Sequence, residues 1–371
     1  MNVKVFYGPD NAFKEFINET TFVTMNDIML QVIEIDRSFT IRSEGSEIEP
    51  KEFFYETIVC HRQEYSSMSI NSINNIMLLL RSVRFDTLYF QNPPNNIIEV
   101  IERNFDVDFS YYEYGKIGFQ SLIDFKRLFQ DSLVGQEKAL NVMLPVLNIP
   151  RVRSSQKPIV LMFYGPPGVG KTETAKLISQ ALYGSNKIKR FQLSMFQTDE
   201  AYRFLFGSKP QEDSLAKSLL SRETNVILFD EFDKVHPNLY SAFYELFDEG
   251  QIVDGNYTAK VDNSIFICTS NYLTTFEIEK NVGGAIFSRI TECIKFEPLN
   301  EKDKLKIIAT EFKQSFENLA PEDKEKLSHL VEEEMLIELS SDVDGYMNTR
   351  DIKNTVDMYL SYKLLKELNV L

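Results

Sequence analysis

One stretch, Ile159 to Thr172, reads IVLMFYGPPGVGKT and constrains the fold more than any other part of the chain. Six apolar residues, Ile159 to Tyr164, run without a break into a loop carrying three glycines. A run this short and apolar marks a strand covered on both faces. Ala175, Ile178 and Leu182 then recur at helical spacing until Gly184 ends the run. Between strand and helix the pattern GxxxxGK[ST] is complete in Gly165, Gly170, Lys171 and Thr172. The glycines let the backbone curl so that several N–H groups converge on phosphate oxygens, at the positive end of the helix. Lys171 is placed to neutralise the terminal phosphates and Thr172 to offer a hydroxyl to Mg2+. The expected phosphate-binding segment runs through Gly165, Pro166, Pro167, Gly168, Val169, Gly170, Lys171, Thr172 and Glu173. A glycine turn that merely contains a lysine has no reason to come framed by a strand and a helix.

At 371 residues the chain has room for two or three domains, each with its own core. Hydrophobic residues make up 43 % and charged residues 26 %, which fits a globular protein rather than a disordered one. No apolar run reaches the roughly 18 residues that a membrane span needs. The opening MNVKVFYGPDNAFKEF lacks the basic-then-apolar layout of a secretion signal. Cys60, Cys268 and Cys293 are spaced for neither a zinc site nor a disulfide frame, so a reducing cytoplasm is the expected location. The net charge is −15, with 19 acids against 12 bases in residues 1–130 and 36 against 28 in the rest. No basic face of the kind that neutralises a long nucleic acid is visible, which disfavours that partner class.

Residues 1–130 mix short strand and helix signals, and an α+β domain is the expectation. Val3 to Tyr7 reads as a strand, followed by Gly8-Pro9-Asp10 as a turn. Met29 to Ile35 and Phe39 to Ile41 read as further strands, Ser69 to Val83 as a helix, and Thr87 to Phe90 as a buried strand. Pro93-Pro94-Asn95 opens a helix with Ile97, Ile98 and Ile101 on one side. Cys60 and His61 are adjacent and so point to opposite faces of a strand, which argues against a shared metal. Tyr111, Tyr112 and Tyr114 are read as hinge packing, with an interaction surface as the alternative.

Two further strands carry chemistry. Val226 to Phe229 is a continuous apolar run ending in Asp230-Glu231. In a parallel α/β sheet ligands lie at the carboxyl ends of strands, so both acids should face the phosphate loop. Asp230 is suited to hold Mg2+ through its water shell, and Glu231 to polarise the attacking water. Ile265 to Cys268 forms another strand, with Asn271 just beyond it.

LVGQEKAL at Leu133–Leu140, followed about thirty residues later by GPPGVGKTETAK, resembles the ATPase module of Clp-type AAA+ unfoldases, particularly their second ATPase domain. VILFDEFDKVHP, LFDEGQIVDGNYTAKVDNSIFICTSN, AIFSRITECIKFEPL and NTRDIKNTVDMYLSYKLLKEL continue the likeness in order through residues 131 to 371. The resemblance implies a five-stranded parallel sheet in residues 131–299 and a small helical lid in 300–371, with 1–130 as a separate domain. It implies ATP as the nucleotide, with Val134 and Gly135 beside adenine and Asn271 as the first sensor that aligns water. Arg289 becomes the finger reaching a neighbour's γ-phosphate, and Arg350 the second sensor. There Asn348 and Thr349 replace the family's glycine and alanine. A homo-oligomeric ring, a hexamer in the family, follows from a finger acting between subunits.

One region departs from the pattern. Family unfoldases grip substrate with a glycine-flanked aromatic in the loop between the second and third strands. The equivalent region here, Arg203 to Arg222, reads RFLFGSKPQEDSLAKSLLSR, is shorter, and offers Lys209 to Asp213 at that place. Two uses of hydrolysis stay open: remodelling of a protein recruited by residues 1–130, or a nucleotide-controlled scaffold or switch that threads nothing. A DNA-handling loader is the weaker third class, given the acidic balance.

Overall fold

The computed structural model describes residues 1–31, 53–195, 199–328, 336–339, 343–346, 348–368 and 370. Two five-stranded sheets and a helical cluster account for most of the core.

The first sheet contains β1 (Asn2–Tyr7), β2 (Val23–Thr24), β3 (Phe53–Cys60), β4 (Val83–Gln91) and β5 (Val107–Tyr111), in the order β2-β3-β4-β1-β5. Every pairing is parallel, so this region is an α/β layer and not the expected α+β mixture. Alternation in β1 explains the layering. Val3 and Val5 face a core with Ile58, Leu88 and Phe90, while Phe6 faces Phe13 and Ile17 of the helix Asp10–Ile17 on the other side. Met29 falls in a helix over 25–31 rather than a strand, and Phe39 to Ile41 lie outside the described residues. The expected helix from Ser69 is two pieces, Ile70–Asn74 and Ile76–Arg81. Asn75 separates them, with its amide donating back to the Asn71 carbonyl at 2.9 Å.

The second sheet holds β6 (Ile159–Tyr164), β7 (Lys189–Gln192), β8 (Val226–Asp230), β11 (Ile265–Thr269) and β12 (Glu292–Lys295), all parallel. Its order is β12-β6-β11-β8-β7, which sets the phosphate-loop strand between β12 and the central β11. A small hairpin, β9 (Gln251–Val253) and β10 (Thr258–Lys260), precedes β11. All six residues of β6 are buried, and they alternate between two cores. Val160 and Met162 join a phenylalanine-rich cluster in which Phe229 stacks on Phe266 at 5.7 Å. Ile159, Leu161 and Phe163 pack with Phe125, Met143 and Ile178 on the opposite face. Cys268 is a fully buried core residue.

The helices Glu301–Glu317 and Thr349–Glu367 pack around Ile308, Phe312, Ile352, Val356 and Leu360. Leu305 is exposed on the outer face of the first of these helices, and Ile307 is turned inward. No helix among the described residues is long and apolar enough to cross a membrane.

The two sheets meet through named contacts. Tyr114 donates its hydroxyl to the Arg222 carbonyl at 2.8 Å, and the Arg222 guanidinium lies 4.4 Å from the Tyr114 ring. Gln211 donates to the Met68 carbonyl, Lys217 to the Ser66 hydroxyl, and the Asn95 N–H to the Asn256 carbonyl.

Candidate functional site

The carboxyl end of β6 opens into the glycine loop, and the helix Lys171–Tyr183 begins where the loop closes. Gly165 has φ 131°, and a Cβ there would sit 2.2 Å from the Phe296 carbonyl oxygen. Gly170 has φ 98°, and a Cβ there would sit 2.4 Å from Leu133, so this tight curl needs residues without side chains. The Lys171 ammonium donates to the carbonyls of Gly165 (2.6 Å) and Pro166 (2.8 Å) and to Asn271 Oδ1 (3.2 Å). Burial lowers its pKa to about 8, against the opposing pull of Asp233 and Asp230.

A cleft of about 520 Å3 lies over this loop. Pro167, Gly168, Gly170, Lys171, Thr172 and Glu173 line one wall, Asp230, Glu231 and Asn271 another, and Arg350 a third. Three strand ends and the first turn of the lid helix thus converge on one space. Asp230 closes β8 and is almost fully buried, with Oδ1 accepting the Thr269 hydroxyl at 2.5 Å. The same Thr269 oxygen accepts the Glu231 N–H at 3.0 Å. Glu231 itself lies in the left-handed region at φ 57°, where non-glycine residues are rare and cluster at functional sites. The lid reaches the loop through Thr349, whose hydroxyl donates to the Gly168 carbonyl at 2.7 Å. Asn348 caps the lid helix by accepting the N–H groups of Arg350 and Asp351. Of the two residues that differ from the family pattern, Thr349 ties the lid to the loop and Asn348 caps the lid helix.

Not every expected residue reaches the cleft. Gly165, Pro166 and Val169 shape the loop from behind, and the Val169 side chain is buried in the sheet core. Val134 packs against the lid cluster, and Gly135 (φ 78°) lies where a Cβ would meet Asp303, so both stand at the seam between lid and sheet. Arg289 points elsewhere: its Nε lies 2.6 Å from Asp248 Oδ2, and its guanidinium lies 4.7 Å from the Tyr244 ring. It does not line the cleft of its own chain.

Sequence reasoning missed Arg190, Gln192, Asp233 and Thr269, all of which line the cleft. Arg190 donates to Asp230 Oδ2 at 2.6 Å, and the Gln192 amide lies 3.5 Å from Glu231 Oε2. β7 reads KRFQ, with one apolar residue in four, so periodicity does not announce it. The signal that was available is the alternation of Arg190 and Gln192, two polar residues on one face of a strand beside β8.

The donors suit Mg2+. A threonine hydroxyl and one aspartate are hard oxygen ligands, and Mg2+ completes its shell with water and phosphate rather than a protein cage. Among the described residues no cluster of three or more His, Cys, Asp or Glu forms such a cage. Among the described residues, buried Oδ1 of Asp233 and Oγ of Ser270 find no hydrogen-bond partner, and both residues line the cleft. Polar ligand atoms or water would satisfy them.

Comparison with known proteins agrees with this geometry. The family model for the AAA domain (Cdc48 subfamily) matches residues 156–340. Chaperone protein ClpB of Mycoplasmoides gallisepticum is 31 % identical over 206 residues, covering 50 % of this chain and 29 % of the relative. ClpB of Clostridium tetani is 28 % identical over 269 residues, 64 % of this chain and 31 % of the relative. ClpB of Corynebacterium efficiens is 24 % identical over 267 residues, 67 % and 31 % respectively. The chain thus spans under a third of the length of these relatives. Motif order, sheet order and these matches converge: the chain belongs to the Clp-type AAA+ family.

Proposed function

We propose that this chain hydrolyses ATP to ADP and phosphate with Mg2+. The observation that carries the reading is the convergence of Lys171, Thr172, Asp230, Glu231, Asn271 and Arg350 on one cleft. In this reading Lys171 leaves its carbonyl partners for the β- and γ-phosphates, and Thr172 and Asp230 hold the metal and its water shell. Bound Mg2+ supplies charge neutralisation at the phosphate oxygens. Asn271 aligns a water and Glu231 accepts its proton as the water oxygen bonds to the γ-phosphorus and the β–γ bridge breaks. Arg350 meets the γ-phosphate from the lid. Arg289, turned away from its own cleft, serves the neighbour's site in a homo-oligomeric ring, a hexamer by analogy with the family.

The work done belongs to residues 1–130 as partner-recognising unit, 131–299 as ATPase unit and 300–371 as lid. Kinship with ClpB chaperones supports remodelling of a recruited protein in the cytoplasm. A second reading, a nucleotide-driven switch, is supported by one feature. The loop containing Lys209 to Asp213, which stands where unfoldases grip substrate, is hydrogen-bonded to the chain's own first unit through Gln211 and Met68. Phosphate-release and nucleotide-binding assays test the chemistry: Lys171→Ala should lose binding, and Glu231→Gln should bind ATP without turnover. Normal turnover by Glu231→Gln would refute it. Imaging the ATP-trapped Glu231→Gln protein separates the two uses, since an extended chain in a pore supports threading and a plugged ring the switch.

A further inference from the structure

Both acids of the cleft are held from one edge strand. Arg190 donates to Asp230 Oδ2 at 2.6 Å, and Gln192, two residues on, approaches Glu231. The other oxygen of Asp230 accepts the Thr269 hydroxyl. Asp230 therefore has both oxygens engaged, one of them by a full positive charge. Its side chain is 9 % exposed, whereas that of Arg190 is 46 % exposed and lines the same cleft as Lys171 and Thr172. β7 is joined to β8 by a backbone ladder from Lys189↔Ile227 to Gln192↔Asp230, so strand pairing does not depend on the Arg190 side chain.

We propose that Arg190 is a positioning residue that competes with the divalent cation of a bound nucleotide for Asp230, and so sets how much Mg2+ the site demands. The inference rests on reading the cleft as a Mg-nucleotide site. A guanidinium on a carboxylate both orients it and cancels much of its attraction for a second cation. The half-exposed arginine can swing off Asp230 while staying tethered at the rim, within the field of the phosphates. A role limited to pinning β7 against β8 makes a different prediction: the variant is less stable, and the Mg2+ requirement of the folded protein is unchanged.

Calorimetric titration of the full chain with ADP at graded Mg2+ distinguishes these. In Arg190→Gln the Mg2+ midpoint for ADP binding should fall about threefold to tenfold, the range expected for a half-exposed charged hydrogen bond. Arg190→Lys, which keeps the charge, should stay near the wild-type midpoint. In excess chelator, ADP should bind Arg190→Gln more weakly than wild type, because a rim cation is lost. A midpoint unchanged or raised in Arg190→Gln overturns the proposal while leaving the nucleotide site intact. Failure of the wild-type chain to bind ADP at any Mg2+ concentration overturns the reading of the cleft itself.

Discussion

Glu231 follows directly on β8 at φ 57°, with its N–H fixed by Thr269. A side chain in this left-handed region costs about 1–2 kcal/mol, and glycine avoids the cost. Glu231→Gly should therefore unfold at higher urea than Glu231→Gln, by about 1 kcal/mol, although both stop turnover. Equal midpoints would show that the backbone is not strained there. Glu64 offers a pH test far from the cleft. Burial raises its carboxyl to about 7, with Asp27 adding to the rise, against N–H groups of Asn26 and Met25 and the Cys60 thiol that favour the charged form. The folded state thus holds the proton more tightly than the unfolded chain, whose pKa is near 4.5. Stability present below that value is lost as pH climbs through about 7. Thermal melts should show lower stability at pH 8 than at pH 5.5. Glu64→Gln should flatten the profile, by about 2 kcal/mol between the extremes. A wild-type melting temperature independent of pH in this window would remove the basis for it.

Among elements, the segment carrying Arg289 is the one whose proposed role spans two chains. The short helix Gly284–Phe287 precedes it, and within the chain Asp248 and Tyr244 occupy the guanidinium. A finger acting across an interface must leave these partners, so its loss should affect turnover far more than nucleotide binding. Arg289→Ala should lower the ATPase rate by about 10^3-fold. Mixing Arg289→Ala with Glu231→Gln subunits should restore part of it, because each supplies what the other lacks at a shared site. Mixed preparations no more active than either parent would exclude action between subunits. Element by element, what could be read from the chain followed its physical signal. β6, β8 and β11 are unbroken apolar runs and were legible, as was the helix that Gly184 ends. β7 was not, because an edge strand covered on one side carries Arg190 and Gln192 where a central strand would carry valines. The parallel sheet of the first unit was hidden for another reason: strand direction is set by crossover connections between distant segments, which local periodicity does not encode.

For the molecule as a whole, the contact between the first sheet unit and the second bears on which of the two proposed uses of hydrolysis is open. Gln211 and Lys217 donate to Met68 and Ser66, and Tyr257 donates its hydroxyl to the Pro210 carbonyl, so the loop is held from two sides. The sequence showed that this loop lacks a gripping aromatic. It could not show what the loop touches, because the partners lie more than a hundred residues away in the chain. The contact is also imperfect. Among the described residues, Gln211 Oε1 and Asp254 Oδ2 are buried without hydrogen-bond partners, each costing about 1–3 kcal/mol. Unpaired polar atoms weaken such an attachment. Replacing Gln211 and Lys217 together by alanine should raise amide exchange across residues 207–217 by about tenfold, while protection in β6 and β8 stays as in wild type. If the loop is a latch, the same variant should also change the ATPase rate. Unchanged exchange in the loop would mean that other contacts hold it. Increased exchange with an unaltered ATPase rate would leave the loop free of any control over the cleft and remove the structural support for the switch.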